Sequence, residues 1–134
     1  MAGSMSPQPQ ALEAKIATIK AALAALGDLR PGTLSAQYNV CGKPQCRCKA
    51  QPPRKHGPYY QVSFTWQGKS QSQFVRRDDV PTVRRQVRTY HRLRTLIDRW
   101  ISLGLDLSRL RLDQARATRA KTRGGSANSR ANRA

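Results

Sequence analysis

Apolar residues near the start of the chain recur at Leu12, Ile16, Ile19, Leu23 and Leu26, at intervals of four, three, four and three. That spacing is an a/d seam two heptads long. Alanines fill the positions between and raise helix propensity. The pattern predicts an amphipathic helix over residues 10–26, stopped by Gly27 and Pro31. A seam this narrow packs on another helix, in coiled-coil fashion, rather than on a sheet. The pattern does not say whether that helix comes from the same chain.

The period then changes. Leu34 to Val40 reads as a short extended piece, and Tyr60, Val62, Phe64 and Trp66 alternate with Gln61, Ser63 and Thr65. Alternation of this kind marks a half-buried strand. Gln67-Gly68-Lys69 is a hairpin turn, and Ser70 to Arg76 is the return strand. A strict two-residue loop sets Phe74 opposite Gln61, on the polar face. A loop one residue longer, with a bulge, sets Phe74 opposite Val62 and keeps the apolar side chains together, so the longer loop is expected. On that register Gln61, Ser63, Thr65, Gln71 and Gln73 form the outward face.

Asp78 and Asp79 ahead of Val80-Pro81 suit the positive end of a helix. The stripe Val83, Val87, Tyr90, Leu93, Leu96, Ile97, Trp100, Leu103, Leu107 and Leu110 predicts a helix over about 80–111. It outruns the first helix, which leaves Trp100 to Leu112 for self-association as a homodimer. Residues 113–134 have alanine as their only apolar type, with six Arg or Lys after Gln114, and are expected to be a disordered basic tail. Residues 1–9 are expected to be disordered or an added leader, with Met5 the native start. The fold class is therefore α+β: a helix, a cysteine-rich loop, a β-hairpin and a long basic helix, with residues 10–112 as one domain.

Charge narrows the partners. Lys plus Arg number 25 against 7 Asp plus Glu, a net charge of +18 over 134 residues. Such an excess favours a polyanion, of which nucleic acid is the commonest. No apolar run approaches the roughly 18 residues of a membrane span, and the N-terminus lacks a signal-peptide pattern. No membrane partner is expected, and the location is cytoplasmic, at the nucleoid.

All three cysteines, Cys41, Cys46 and Cys48, fall within eight residues, and His56 follows. An odd, clustered set argues against a disulfide framework. Zinc takes four tetrahedral ligands from thiolate and imidazole, and the turns offered by Gly42, Pro44 and Pro52-Pro53 let short spacings converge. These four residues are the candidate Zn²⁺ ligands. Cys46 and Cys48 would point oppositely in a strand, so both ligate only if the backbone turns between them. The competing reading is a metal-free knuckle of small buried residues.

Basic residues cluster around this knuckle and beyond it. Lys43, Arg47, Lys49, Arg54 and Lys55 decorate the loop, Lys69 sits at the hairpin turn, and Arg76 and Arg77 end the hairpin. Arg84, Arg85, Arg88 and Arg92 follow on the long helix, where i±4 acids are scarce. Unpaired, aligned arginines suit a phosphate backbone. The uncharged outward face of the hairpin could read base edges, although most such faces are plain solvated sheet. Tyr59 is either a stacking or a packing residue. No catalytic set is suggested, so the chain is not expected to be an enzyme.

Gly-Thr-Leu-Ser at 32–35, the Cys-Gly-Lys-Pro-Gln-Cys-Arg-Cys run at 41–48, His-Gly-Pro-Tyr-Tyr at 56–60, Gly-Lys at 68–69, and Phe74-Val75 with Asp79-Val80-Pro81 together resemble a family of small, basic bacterial proteins of unknown function. The resemblance covers residues 28–112. It implies a bacterial source and an association with transposons and other mobile elements, and it transfers no activity. The leading expectation is a non-enzymatic protein that binds double-stranded DNA, as an accessory factor for a recombinase or transposase or as a small regulator. An RNA-binding module and a coiled-coil assembly adaptor are the alternatives.

Overall fold

The computed structural model describes residues 8–131, with side chains through residue 124. In chain order it contains α1 (Pro9–Ala24), β1 (Thr33–Asn39), β2 (His56–Trp66), β3 (Lys69–Val75) and α2 (Val80–Ala131). Short 3₁₀ turns lie at Arg47–Lys49 and Arg77–Asp79. The class is α+β, with one helix before and one after the strands in sequence and an antiparallel sheet in the order β1-β2-β3. The chain divides into two compact units. One holds α1 and α2 from Thr95 onward; the other is Leu26–Arg94.

In the first unit the seam of α1 finds its partner in the same chain. Leu12, Ile16 and Ile19 are buried, and Leu12 and Ile16 pack with Leu103, Leu107 and Leu110 of α2. Glu13 pairs with Arg111, while Lys20 Nζ lies 5.2 Å from the Trp100 ring centroid. Later positions on α1 thus meet earlier positions on α2, so the two segments run antiparallel. The apolar period ends near Leu112, but α2 continues to Ala131, about twenty residues past the expected end. The stretch expected as a disordered tail is helical that far, and each side chain from 113 to 124 is exposed. Alanine, arginine, lysine and glutamine favour helix without needing a core. Residues 132–134 lie outside the described residues.

In the second unit a sheet of three strands replaces the expected hairpin. The extended piece after Pro31 pairs with β2, Leu34 facing Val62. The sheet packs one face on the start of α2: Val62 is fully buried with Val83 and Val87, and Leu34 and Val75 close the cluster. The hairpin register differs from expectation. Trp66 pairs with Lys69 and Gln61 with Phe74, so the loop is Gln67-Gly68 alone. Both loop residues have positive φ, 50° and 77°, the two-residue turn whose twist matches the strands. Side chains alternate, so the shorter loop moves the whole return strand across the sheet. Phe74 goes to the open face, 74% exposed, while Gln71 and Gln73 share the face of Phe64 and Val62.

Candidate metal centre and basic surface

The connection from β1 to β2 carries the four candidate ligands and is folded by short backbone bonds. Cys46 N donates to the carbonyl of Lys43 (3.2 Å), Lys49 N to that of Cys46 (2.9 Å), and Arg54 N to that of Arg47 (3.1 Å). The 3₁₀ turn Arg47–Lys49 supplies the reversal between Cys46 and Cys48 that the spacing demands. It turns Cys48 inward until it is 1% exposed. His56 arrives from the other side, as the first residue of β2.

The next residue, Gly57, holds β2 against β1. Its φ is +139°, and a Cβ there would lie 2.7 Å from the carbonyl oxygen of Gln37. A side chain at 57 would force the strands apart at the point where His56 joins the cluster.

The three thiol sulfurs and the His56 ring nitrogen all lie within 4.8 Å of one another. The Sγ atoms of Cys41 and Cys48 are 3.6 Å apart, and Cys46 Sγ is 3.0 Å from His56 Nε2. Thiolates at a tetrahedral zinc with about 2.3 Å bonds stand roughly 3.8 Å apart. The donor set and its spacing fit a four-coordinate ion, and these residues could hold a metal.

Electrostatics within the cluster prepare it for a cation. Cys46 is pulled down from 9.0 to about 6, first by the backbone N–H of Cys48, then by the side chains of Cys41, Cys48 and His56. Cys41 moves up. The N–H of Lys43 favours its thiolate, but Cys46, partial burial and Cys48 together outweigh that. At neutral pH the metal-free cluster already holds a thiolate at Cys46, as metal ligation requires. Iodoacetamide on metal-free protein at pH 7 is expected to label Cys46 before Cys41. The Cys46 rate should be half-maximal at about pH 6 and level off roughly one pH unit higher, and mass mapping that finds Cys41 labelled first would reverse this assignment.

The twelve expected nucleic-acid contacts all belong to the sheet unit, and every one is exposed. The ion pair of Arg111 with Glu13 lies in the other unit, and among the described residues no carboxylate pairs with any of the twelve. They fall into groups. Arg84, Arg88 and Arg92 stand four residues apart on α2, with Arg85 beside them, while Val83 and Val87 take the core side. Lys43, Arg47, Lys49, Arg54 and Lys55 surround the metal cluster at the end of the sheet where β2 begins. Arg76 and Arg77 follow β3 at that same end. Lys69 is at the opposite end, beside the turn, and joins none of these groups.

The sequence reading missed Phe74. The Gln-Gly dipeptide, taken as a strict two-residue turn, contained the signal that places it beside Tyr59 on the open face.

An α+β unit built on a cysteine–histidine cluster and a sheet with one open face is the class that fold and site define. The chain belongs to the DUF6788 family, a domain of unknown function, which matches residues 9–85. No curated protein and no solved structure matches it. No helix among the described residues is long and apolar enough to cross a membrane.

Proposed function

We propose that this protein is a non-enzymatic, zinc-stapled DNA-binding protein of bacterial mobile elements, acting at the nucleoid beside a recombinase or transposase or as a small regulator. The observation that carries the reading is the set of exposed basic side chains on one unit, unpaired by acid, in a chain of net charge +18. Arg84, Arg88 and Arg92 offer a positive charge about every 6 Å along α2, suited to duplex phosphates. Basic residues beyond position 113 add sequence-independent affinity.

Zinc is the ion the donors favour, because three thiolates and one imidazole are soft enough to prefer it over oxygen-seeking cations. Cys41, Cys46, Cys48 and His56 would hold it. Four protein ligands complete a tetrahedron and leave no position for substrate, so the metal would fasten the loop to the start of β2.

Ile101, Leu105 and Leu112 are each more than half exposed on α2. A second copy of the chain is the occupant we assign to that row.

Binding to random duplex DNA is expected to be tight at 50 mM salt and to weaken by about 10³-fold or more at 200 mM, as for six or more phosphate contacts. A structured RNA of equal length should bind more weakly. Tighter binding of the RNA would move the reading to an RNA-binding module. Absence of binding to both, with a dimer in sedimentation, would make the chain an assembly adaptor.

A further inference from the structure

The open face of the sheet is built from Thr33, Ser35 and Gln37 on β1, Gln61, Ser63 and Thr65 on β2, and Ser70 and Ser72 on β3, with no charged side chain among them. Their polar groups are turned on one another. Ser63 Oγ lies 3.1 Å from Ser72 Oγ, Thr65 Oγ1 lies 2.9 Å from Ser70 Oγ, and Gln37 Nε2 donates to Gln61 Oε1 at 2.9 Å. A face satisfied in this way is a poor reader of base edges and a flat floor for something laid across it.

At the end of this face nearest the metal cluster stand two aromatic rings. Phe74 pairs with Gln61, and Tyr59 is two residues before Gln61 on β2, so both rings project from the same side as diagonal neighbours. Tyr59 is 45% exposed, and Phe74, at 74%, is the most exposed large apolar side chain among the described residues. With Arg76 and Arg77 they line a shallow depression of about 440 Å³. A lone exposed aromatic needs no explanation, but two on one sheet face flanked by arginines form a patch with a defined chemistry.

We propose that Tyr59 and Phe74 are a stacking platform for unpaired bases of a single DNA strand, whose phosphates are held by Arg76 and Arg77. The inference rests on the DNA-binding reading and deepens it. Ring faces accept any base, and the adjoining guanidinium groups complement the backbone, the combination that single-strand sites use. A duplex hides its base faces, so it cannot use the platform. The arginine row of α2 lies on the other layer of the unit, which makes the two contacts separable. A protein with both would hold duplex on its helix and an opened strand on its sheet.

The test is fluorescence anisotropy of the full chain with three probes at one salt concentration: a 12-nucleotide oligo(dT), an abasic strand with the same phosphates, and a random duplex. The oligo(dT) is expected to bind about tenfold or more tighter than the abasic strand. Phe74→Ala and Tyr59→Ala should each lose about five- to a hundredfold on oligo(dT), with abasic and duplex binding unchanged. Phe74→Tyr should retain affinity, and Phe74→Leu should lose it. Equal binding of oligo(dT) and abasic strand, with duplex binding intact, overturns the platform alone. Failure of all three probes overturns the platform and the DNA-binding reading together. Aromatic-dependent oligo(dT) binding without duplex binding upholds the platform and removes the duplex contact. Tenfold tighter binding of oligo(U) than oligo(dT) overturns DNA as the occupant. Thermal melts of each variant confirm that it is folded, as expected for side chains this exposed.

Discussion

Stripping the metal is expected to lower the melting temperature of this protein by at least about 10 °C. That corresponds to roughly 2 kcal/mol for a unit of this size. Structural zinc in finger peptides contributes far more, on the order of 10–16 kcal/mol, because those peptides have no other core. Here Val62, Val83, Val87, Leu34 and Val75 form an apolar cluster without the metal, so the sheet should survive while the loop from Val40 to Lys55 opens. Native mass measurement should find one zinc per chain. Cys48→Ser should abolish it, since that sulfur is buried and within 4.8 Å of the other three donors. Gly57→Ala keeps all four ligands but presses a methyl group against the carbonyl of Gln37. It should weaken zinc binding by about 10–100-fold, the range for groups that orient ligands. Protein purified without bound zinc, whose melt does not rise when zinc is added, would refute the staple.

The second large effect is expected on α2. Replacing Arg84, Arg88 and Arg92 together with glutamine removes three charges and leaves helix propensity almost unchanged. Each phosphate contact adds about 0.9 to the slope of log affinity against log salt. The triple variant should therefore flatten that slope by close to 3 and weaken duplex binding by well over tenfold at 100 mM salt. The melting temperature should hold, because all three side chains are exposed and no acid pairs with them. A variant that binds like the parent would show that this row faces solvent only, and would shift the duplex contact to the loop around the metal cluster.

Much of this molecule could be read without coordinates, and the reasons differ from element to element. The seam Leu12, Ile16 and Ile19 was legible because helix period and burial coincide there. The clustering of Cys41, Cys46, Cys48 and His56 was legible because no other residue in or beside that loop carries a suitable donor, and the turn between Cys46 and Cys48 was a geometric requirement before it was an observation. The third strand was half visible, as an extended piece without a partner. The length of α2 was not, since its last turns bury nothing and leave no hydrophobic period to follow. The position of Phe74 was misjudged because keeping apolar residues together is usually right, and in this sheet it yielded to the turn. Gln67 and Gly68 both take positive φ, and the local twist they impose outweighed the burial of one ring.

By itself, then, the order of residues determined where both helices begin, the alternation of β2, the candidate metal donors and the excess of positive charge, all of which depend on neighbours within a few positions. Only the tertiary structure decided that α1 packs antiparallel on residues 103–110 of its own chain, that β1 joins the sheet, and that Tyr59 and Phe74 share the open face with arginines beside them. Those outcomes depend on register and on pairing between distant segments. A slip of one residue reverses every side chain in a strand, and no local pattern carries that information.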